Sequence, residues 1–421
     1  MSAADLSGLD GGLLRFATAG SVDDGKSTLI GRLLHDARSI AEDQLAALVA
    51  SSQRRGLAQV DLALLTDGLQ AEREQGITID VAYRYFESDG RRFIIADTPG
   101  HEQYTRNMVT AASTADLAVV LADVRKGALL QSRRHAFVSR LLGIDRLIVA
   151  VNKMDLADYR RDAFERVRAE FDAFVAPLGF AQVSYVPLSA LHGDMVVERS
   201  GRLAWYTGPT LLEALRAAPG EADRAALPLR FPVQLVARAG VGGAGRGYMG
   251  RIEAGSVAVG DSVTLLPSGL GTTVAAILNH GGALARARAG QSVTLVLEDD
   301  VDLARGDLIA GERDLPNVTG RLEAVLCWFD EEPLGAGTTY LLRHGTRTVR
   351  AKVTDLAYRF DMATFALHPV ERPAAMNDVV GACLALQQPL PVDPYSACRA
   401  TGSFILVDPA TQRTVAAGMV Q

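Results

Sequence analysis

Lysine is scarce in this chain, and so are cysteine and long apolar runs. Four of the 421 residues are Lys, so 39 of the 43 basic residues are Arg. The three cysteines lie far apart without C-x-x-C spacing, which argues against a disulfide framework or a cysteine metal site. No apolar run approaches the roughly 20 residues that span a bilayer, and the first residues lack a secretory signal pattern. We therefore expect a cytoplasmic protein with reduced thiols and no membrane segment.

The overall charge is weakly acidic. A net charge of −6 argues against a general nucleic-acid-binding surface, although it is compatible with a local basic face. The hydrophobic content of 48% and the charged content of 22% are typical of globular proteins. A chain of 421 residues exceeds a single hydrophobic core, so we expect about two to four domains.

Two of the four lysines lie in nucleotide-binding patterns. The first pattern is a complete G-x-x-x-x-G-K-[ST] phosphate loop, which consists of Gly20, Ser21, Val22, Asp23, Asp24, Gly25, Lys26 and Ser27. It follows a predicted strand and begins a predicted helix, so backbone N–H groups and the helix N-terminus would face phosphates. We predict that Lys26 reaches the β- and γ-phosphates, that the Ser27 hydroxyl binds Mg²⁺, and that Thr28 supports the α-phosphate. Arg would not replace a compact ammonium at such a contact.

A second motif follows a later apolar strand. It consists of Asp97, Thr98, Pro99 and Gly100. Alone it could equally be an ordinary turn, but its place after the phosphate loop and at a strand end favours phosphate binding, with Asp97 holding Mg²⁺ through water. His101 is either a packing residue or, as we expect from its position, the residue that orients the water attacking the γ-phosphate. Thr78 is either a β-branched residue entering a strand or the second hydroxyl ligand of Mg²⁺.

Two further motifs predict guanine recognition. The first consists of Asn152, Lys153, Met154 and Asp155, and it follows a nearly continuous apolar strand. The Asp155 carboxylate would accept hydrogen bonds from guanine N1–H and the exocyclic amine, the Lys153 stem would cover the base, and Asn152 would tie this loop to the phosphate loop. After the next strand, a backbone N–H of the second motif would donate to guanine O6; this motif consists of Ser189, Ala190 and Leu191. The order of the four motifs predicts a protein that binds GTP with Mg²⁺.

Short apolar runs alternate with helical patterns up to residue 218. This alternation predicts an α/β P-loop GTPase domain with a mostly parallel, doubly wound sheet. Beyond it, short β-rich runs separated by turns predict two antiparallel β-barrel domains. We assign residues 1–218 to the GTPase domain, 219–228 to a linker, 229–315 to the first barrel and 316–421 to the second. The predicted strands of the GTPase domain are 13–19, 81–87, 92–96, 117–123, 146–151 and 182–187.

These motifs make the chain similar to translational GTPases of the elongation factor Tu type over essentially its whole length. Residues 250–261 resemble the second-domain signature of those proteins. The phosphate loop departs from the translation branch, because elongation factor Tu proteins have a His at the position of Asp24. Residues 328–334, 340–347 and 403–408 resemble the large GTPase subunit of bacterial heterodimeric sulfate adenylyltransferase.

The resemblance implies a division of labour between two subunits in sulfate assimilation. A separate small ATP-sulfurylase (adenylyltransferase) subunit would form adenylyl sulfate and pyrophosphate from ATP and sulfate, while the large subunit hydrolyses GTP to drive that step. We therefore expect a heterodimer or a higher assembly of it, with GTP and Mg²⁺ as cofactors, no membrane partner and no nucleic acid.

The alternative is an elongation factor Tu-like translation GTPase that delivers charged tRNA, which would show salt-sensitive RNA binding through a basic face. Arg343, His344 and Arg347 fit either an RNA or sulfate contact or solvated charges on a barrel loop.

Overall fold

The structure, a computed structural model, describes residues 12–54, 60, 62–65, 80–99, 105–238, 246–361 and 364–421. The chain forms two compact units; the first ends at Gly220 and the second begins at Glu221. A short 3₁₀ helix, Glu221–Ala226, lies inside the segment predicted to be a linker.

A six-stranded sheet of order β2-β3-β1-β4-β5-β6 forms the centre of the first unit. Its strands are Leu13–Ala19 (β1), Ala82–Ser88 (β2), Arg91–Asp97 (β3), Leu117–Asp123 (β4), Arg146–Asn152 (β5) and Gln182–Pro187 (β6). Neighbouring strands are parallel except β2 and β3. Every residue of β4 is buried, as expected for a strand covered on both faces. The predicted strands agree with the observed ones to within one residue at each end.

Helices cover this sheet. They are Lys26–Asp36 (α1), Glu42–Arg54 (α2), Thr105–Thr114 (α3), Leu130–Leu141 (α4), Arg161–Val175 (α5) and Leu211–Ala217 (α6). Helix α5 buries Phe164, Val167 and Phe171, which recur at helical spacing. Helix α6 begins with a capping box formed by Thr210 and Glu213. In the described ranges, no helix is long and apolar enough to cross a membrane.

The first barrel of the second unit is an antiparallel sheet of order β10-β15-β7-β8-β14-β11-β12, closed by pairing of β10 with β11. Strands β9 and β13 pair separately. The strands are Arg230–Arg238 (β7), Arg246–Arg251 (β8), Ser256–Ala258 (β9), Ser262–Leu266 (β10), Leu270–Asn279 (β11), Gly282–Leu284 (β12), Arg286–Arg288 (β13), Ser292–Leu297 (β14) and Leu308–Gly311 (β15). Phe231, Tyr248 and Leu295 lie in the core.

The second barrel has the order β17-β21-β22-β16-β20-β18-β19 and is closed by pairing of β17 with β18. Its elements are Asn317–Trp328 (β16), Thr339–His344 (β17), Arg347–Phe360 (β18), Leu367–His368 (β19), Val379–Val392 (β20), Arg399–Gly402 (α7), Ser403–Val407 (β21) and Thr414–Val420 (β22). Trp328 is buried in the core, and its indole N–H donates to the Glu332 carbonyl at 2.9 Å.

A buried ion pair joins the two barrels. Arg230 on β7 donates from Nε and Nη2 to the two carboxylate oxygens of Asp393, at 2.8 Å each. Thr346 donates to the Val233 carbonyl at 2.9 Å. Because both charged groups are almost inaccessible to water, this bidentate pair fixes the orientation of one barrel on the other.

Candidate nucleotide-binding site

The phosphate loop is a tight turn between β1 and α1. The Ser21 N–H donates to the Asp24 carboxylate at 2.8 Å, and the Asp24 N–H donates to the Ser21 carbonyl at 3.2 Å. Gly25 adopts a φ of 89° and Asp23 a φ of 69°, both in the left-handed region. Helix α1 then begins at Lys26, so its free N–H groups point into the loop. A helix N-terminus in this arrangement can bind an anion.

The Asp24 carboxyl group is fully buried beneath this loop. One oxygen accepts from Ser21, whereas the other has no hydrogen-bond partner in the described part of the chain. Burial raises the pKa of Asp24 from 3.8 to about 6, against the lowering effects of the Ser21 N–H and of nearby Lys126 and Lys153. With a pKa of about 6 this carboxyl is still mostly ionised at neutral pH, so a buried negative charge lies beneath the loop.

Asp97 lies at the carboxyl end of β3, beside β1. Its carboxylate is 2.6 Å from the Lys26 ammonium, and both groups are buried. The hydroxyl of Thr98 donates to the Thr18 carbonyl at 2.7 Å, which holds the end of β3 against β1. Ser27, in the first turn of α1, and Asp97 supply a hydroxyl and a carboxylate, oxygen ligands that Mg²⁺ accepts.

Asn152 connects the phosphate loop to the two loops predicted to read guanine. Its side-chain amide donates to the Asp24 carbonyl at 2.8 Å and accepts from the Ala190 N–H at 2.9 Å. The side chain is buried, so neither bond competes with solvent. A Cβ at Gly25 would lie 2.5 Å from the Asn152 amide nitrogen, so only glycine fits this close approach. The three loops are therefore held together by one side chain.

The predicted base-reading residues lie next to each other. The Ser189 hydroxyl donates to the Asp155 carboxylate at 2.6 Å, which fixes that carboxylate. The Lys153 ammonium donates to the Asp23 carbonyl, so its aliphatic stem crosses above the phosphate loop. Met154 is buried beneath the loop, whereas Leu191 is half exposed at its rim.

Asp123, at the carboxyl end of β4, lies in the candidate site although none of the predicted motifs includes it. Its carboxylate accepts from Arg125 at 2.6 Å and lies 3.2 Å from the Lys153 ammonium. Burial alone would raise the pKa of Asp123, but the hydrogen bonds from Arg125 and Lys153 outweigh burial and lower the pKa to about 2. Asp123 therefore stays charged and positions Lys153. Its place at the end of a buried parallel strand is a signal that could have identified it.

A hydrogen-bonded group outside the predicted motifs lies beside the two loops predicted to read guanine. The Tyr159 hydroxyl donates to Asp194 at 2.7 Å and accepts from Arg202 at 3.1 Å. The second oxygen of Asp194 accepts from Ser200 at 2.6 Å. Burial, and then the hydrogen bond to Asp194, raise the pKa of Tyr159. Tyr159 follows the first guanine loop and Asp194 follows the second, so this network links them.

Helix α4 packs against the phosphate loop. The Ser132 and Ser21 hydroxyls are 3.3 Å apart. His135 is buried, and burial followed by the charges of Lys26 and Arg134 lowers its pKa to about 3. The imidazole beside Lys26 is therefore neutral at physiological pH.

Three of the predicted site residues lie outside the described residues. They are Thr78, Gly100 and His101. Within the described ranges, no group of three His, Cys, Asp or Glu side chains could hold a metal ion. A magnesium site here would depend on hydroxyl and phosphate oxygens in addition to a carboxylate.

Comparison with known proteins matches these loops to a family. Residues 12–219 match the model of the elongation factor Tu GTP binding domain, and residues 321–421 match the GTP-eEF1A C-terminal domain-like model. The chain therefore carries a GTP-binding domain.

The similar proteins extend over both units. The chain is 50% identical over 97% of its length to sulfate adenylyltransferase subunit 1 of Laribacter hongkongensis, of which it covers 85%. It is 51% identical over 97% of its length to the protein of the same name from Vibrio vulnificus, of which it covers 86%. It is also 50% identical over 97% of its length to the bifunctional enzyme NodQ of a Rhizobium species, and it spans 63% of the length of that relative. The chain belongs to the sulfate adenylyltransferase subunit 1 family of elongation factor Tu-type GTPases.

Proposed function

We propose that this chain is the GTP-hydrolysing subunit of a sulfate adenylyltransferase. GTP turnover on this chain would drive formation of adenylyl sulfate and pyrophosphate from ATP and sulfate on a small adenylyltransferase subunit. The observation that carries the proposal is the identity of 50% and 49% to relatives named sulfate adenylyltransferase subunit 1, over 97% of this chain. Those names favour the sulfate enzyme over a tRNA-delivering translation factor. The proposed reaction uses ATP and GTP, so we also place the protein in the cytoplasm.

The phosphate-binding role rests on the loop from Gly20 to Thr28. Its N–H groups and the Lys26 ammonium would hold the β- and γ-phosphates. Mg²⁺, when bound, would neutralise charge on those phosphates. The Ser27 hydroxyl, the Thr78 hydroxyl and, through water, the Asp97 carboxylate would hold the ion. The position of Asp97, buried and 2.6 Å from Lys26, supports this assignment.

His101 would orient the water that attacks the γ-phosphate, directly after the contact of the Gly100 N–H with that phosphate. This assignment rests on the order of the motifs. A His101→Ala variant should keep its affinity for GTP and lose most of its GTP turnover, measured as phosphate release with saturating GTP. Unchanged turnover would remove His101 from the reaction.

The guanine-binding role rests on the fixed carboxylate of Asp155. Two donors on the edge of guanine match its two oxygens, whereas adenine presents no such pair. The bond from Ser189 leaves the carboxylate free to accept from the base, and a backbone N–H of the motif of Ser189, Ala190 and Leu191 would donate to guanine O6. Lys153, held by Asp123, would cover the base.

The three-domain assignment is part of this proposal. Strands β7–β15 lie between residues 230 and 311, and strands β16–β22 lie between residues 317 and 420. These positions support a first barrel over 229–315 and a second over 316–421, after a GTPase domain over 1–218 and a linker over 219–228.

The function is tested by mixing the chain with a small adenylyltransferase subunit, ATP and sulfate. Pyrophosphate release should rise when GTP is added. It should not rise with a non-hydrolysable GTP analogue or with a Lys26→Ala variant, because coupling requires turnover and a nucleotide-dependent affinity for the partner. Release that is unaffected by GTP would refute the proposal, and salt-sensitive tRNA binding would favour the translation factor instead.

A further inference from the structure

Eight of the basic side chains of the second barrel fall into two classes. Four of them form ion pairs with carboxylates of the second unit; these are Arg347, Arg359, Arg372 and Arg413. Four others are exposed and make no side-chain hydrogen bond or ion pair with any described residue. We call them the basic face; it consists of Arg321, Arg343, Arg350 and Lys352.

Strand register places the basic face on one side of the barrel. The adjacent strands β16, β20 and β18 align Arg321 with Ala385 and Ala385 with Lys352. Arg350 lies two residues before Lys352 on β18, and Arg343 lies on the neighbouring strand β17. The alternating residues of β17 and β18 are buried, so these cations point outward. With strands about 4.8 Å apart and alternate residues about 7 Å apart, the four charges fall within a patch roughly 20 Å across.

The neighbours of the basic face favour a protein partner over nucleic acid. The outward positions between the cations are Thr339, Leu341, Thr348 and Ala385. They provide no aromatic ring on which a base could stack. At one end of the patch the next row carries two acidic residues, Glu323 and Asp355. Those carboxylates would repel a continuous phosphate backbone, whereas a folded acidic surface with its own charge pattern can avoid them.

Like charges in one patch repel one another and lower the stability of the barrel. The paired arginines elsewhere on the barrel have that repulsion offset by carboxylates within the second unit. Nothing in the described part of this chain offsets the basic face in the same way.

We propose that the basic face docks onto an acidic surface of the partner adenylyltransferase subunit. The proposal rests on the proposed function, which supplies that partner. Attraction between exposed charges accelerates association and weakens with salt. The complex should therefore form faster and more tightly at low ionic strength.

The test compares two double charge reversals in the full chain. Arg343→Glu with Arg350→Glu changes the basic face. Arg286→Glu with Arg288→Glu on β13 is the matched control, because both of those side chains are exposed and make no side-chain hydrogen bond or ion pair with any described residue. Affinity for the small subunit is measured by calorimetry at 50 mM and 300 mM salt. We expect the first variant to bind at least about tenfold more weakly at low salt and to lose most of the salt dependence. The control should stay within about twofold of the wild type.

The outcomes separate failure of the surface from failure of the function. If the wild type binds the subunit and both variants bind equally well, the basic face is not the docking surface and the proposed function stands. If the wild type does not bind at either salt concentration, the proposed function fails and the docking surface fails with it. Loss of tRNA binding by the first variant, with subunit binding intact, would assign the patch to nucleic acid and overturn the proposal. Arg343→Gln with Arg350→Gln, which removes the charges without adding repulsion, should give a smaller loss in the same direction. Circular dichroism and urea unfolding of the second unit check that each variant is folded.

Discussion

Replacing Asp24 by Asn should stabilise the protein by an amount that grows with pH. The Asp24 carboxyl is fully buried, and burial raises its pKa from 3.8 to about 6. The folded protein therefore binds this proton more tightly than the unfolded chain does. The contribution of Asp24 protonation to the free energy of unfolding is fully present below about pH 4. It falls as the pH rises to about 6 and stays low above that. An amide carries no titrating proton and keeps an oxygen that can accept from the Ser21 N–H.

The size of the effect follows from the two pKa values. Each pH unit between them costs the folded state about 1.4 kcal/mol. The penalty is about 1.5 kcal/mol at pH 5 and about 3 kcal/mol at pH 8. These are upper limits, since a buried carboxylate can draw in water. The difference in free energy of unfolding between variant and wild type should thus increase by about 1.5 kcal/mol from pH 5 to pH 8.

This difference is measured by urea denaturation of the full chain at several pH values. The transition to analyse is the one in which the first unit, which contains Asp24, unfolds. The buried groups nearby do not interfere. Asp123, with a pKa of about 2, stays charged across this range, and the response of His135 is common to both proteins and cancels. An Asp24→Asn variant whose advantage is the same at pH 5 and pH 8 would show that the carboxyl is not held with a raised pKa.

Three other changes probe the site and the barrel interface. Asp155→Asn should shift nucleotide preference from GTP toward xanthosine triphosphate in competition binding; retained GTP selectivity would remove Asp155 from base recognition. Tyr159→Phe should weaken GTP and GDP binding about fivefold, because loss of one hydrogen-bonded hydroxyl costs about 1 kcal/mol. Tyr185→Phe, which loses a comparable bond to Asp172, should leave nucleotide affinity unchanged in the same titration. Arg230→Ala should lower the stability of the second unit by about 3–5 kcal/mol in urea, since it leaves the Asp393 charge buried and unpaired; a loss below about 1 kcal/mol would contradict the buried pair.

The sheet of the first unit was predictable because its signals are local. A fully buried parallel strand such as β4 is a continuous apolar run, and a phosphate loop marks both a strand end and a helix start. Four motifs in order also located the candidate site, because parallel strands deliver their carboxyl ends to one edge. Helix α2 was not predicted, since only three of its 13 residues carry large apolar side chains.

The supporting residues could not be read from the sequence in the same way. Tyr159, Asp194 and Arg202 have no characteristic spacing, and their link depends on how two loops fold back on one another. The sequence also left open which of Arg343, His344 and Arg347 point outward from the second barrel. His344 is buried with its ring nitrogens 2.9 and 3.1 Å from the Ser403 and Pro391 carbonyls, and Arg347 pairs with Asp307 at 3.0 Å. Of the three charges, Arg343 alone is left exposed and unpaired among the described residues.

The ion pair between the barrels could not be predicted from the sequence, and it fixes how the two barrels are oriented. Arg230 and Asp393 lie 163 residues apart, and each alone would be taken for a solvated charge. Removing both from water costs several kcal/mol, which the two bonds of 2.8 Å and the Thr401 hydroxyl on the same carboxylate must offset. A pair of this kind adds little net stability, but it permits only one geometry. A partner that docks on the second barrel therefore meets a surface whose orientation relative to the first barrel is fixed, so binding there acts on the second unit as a whole.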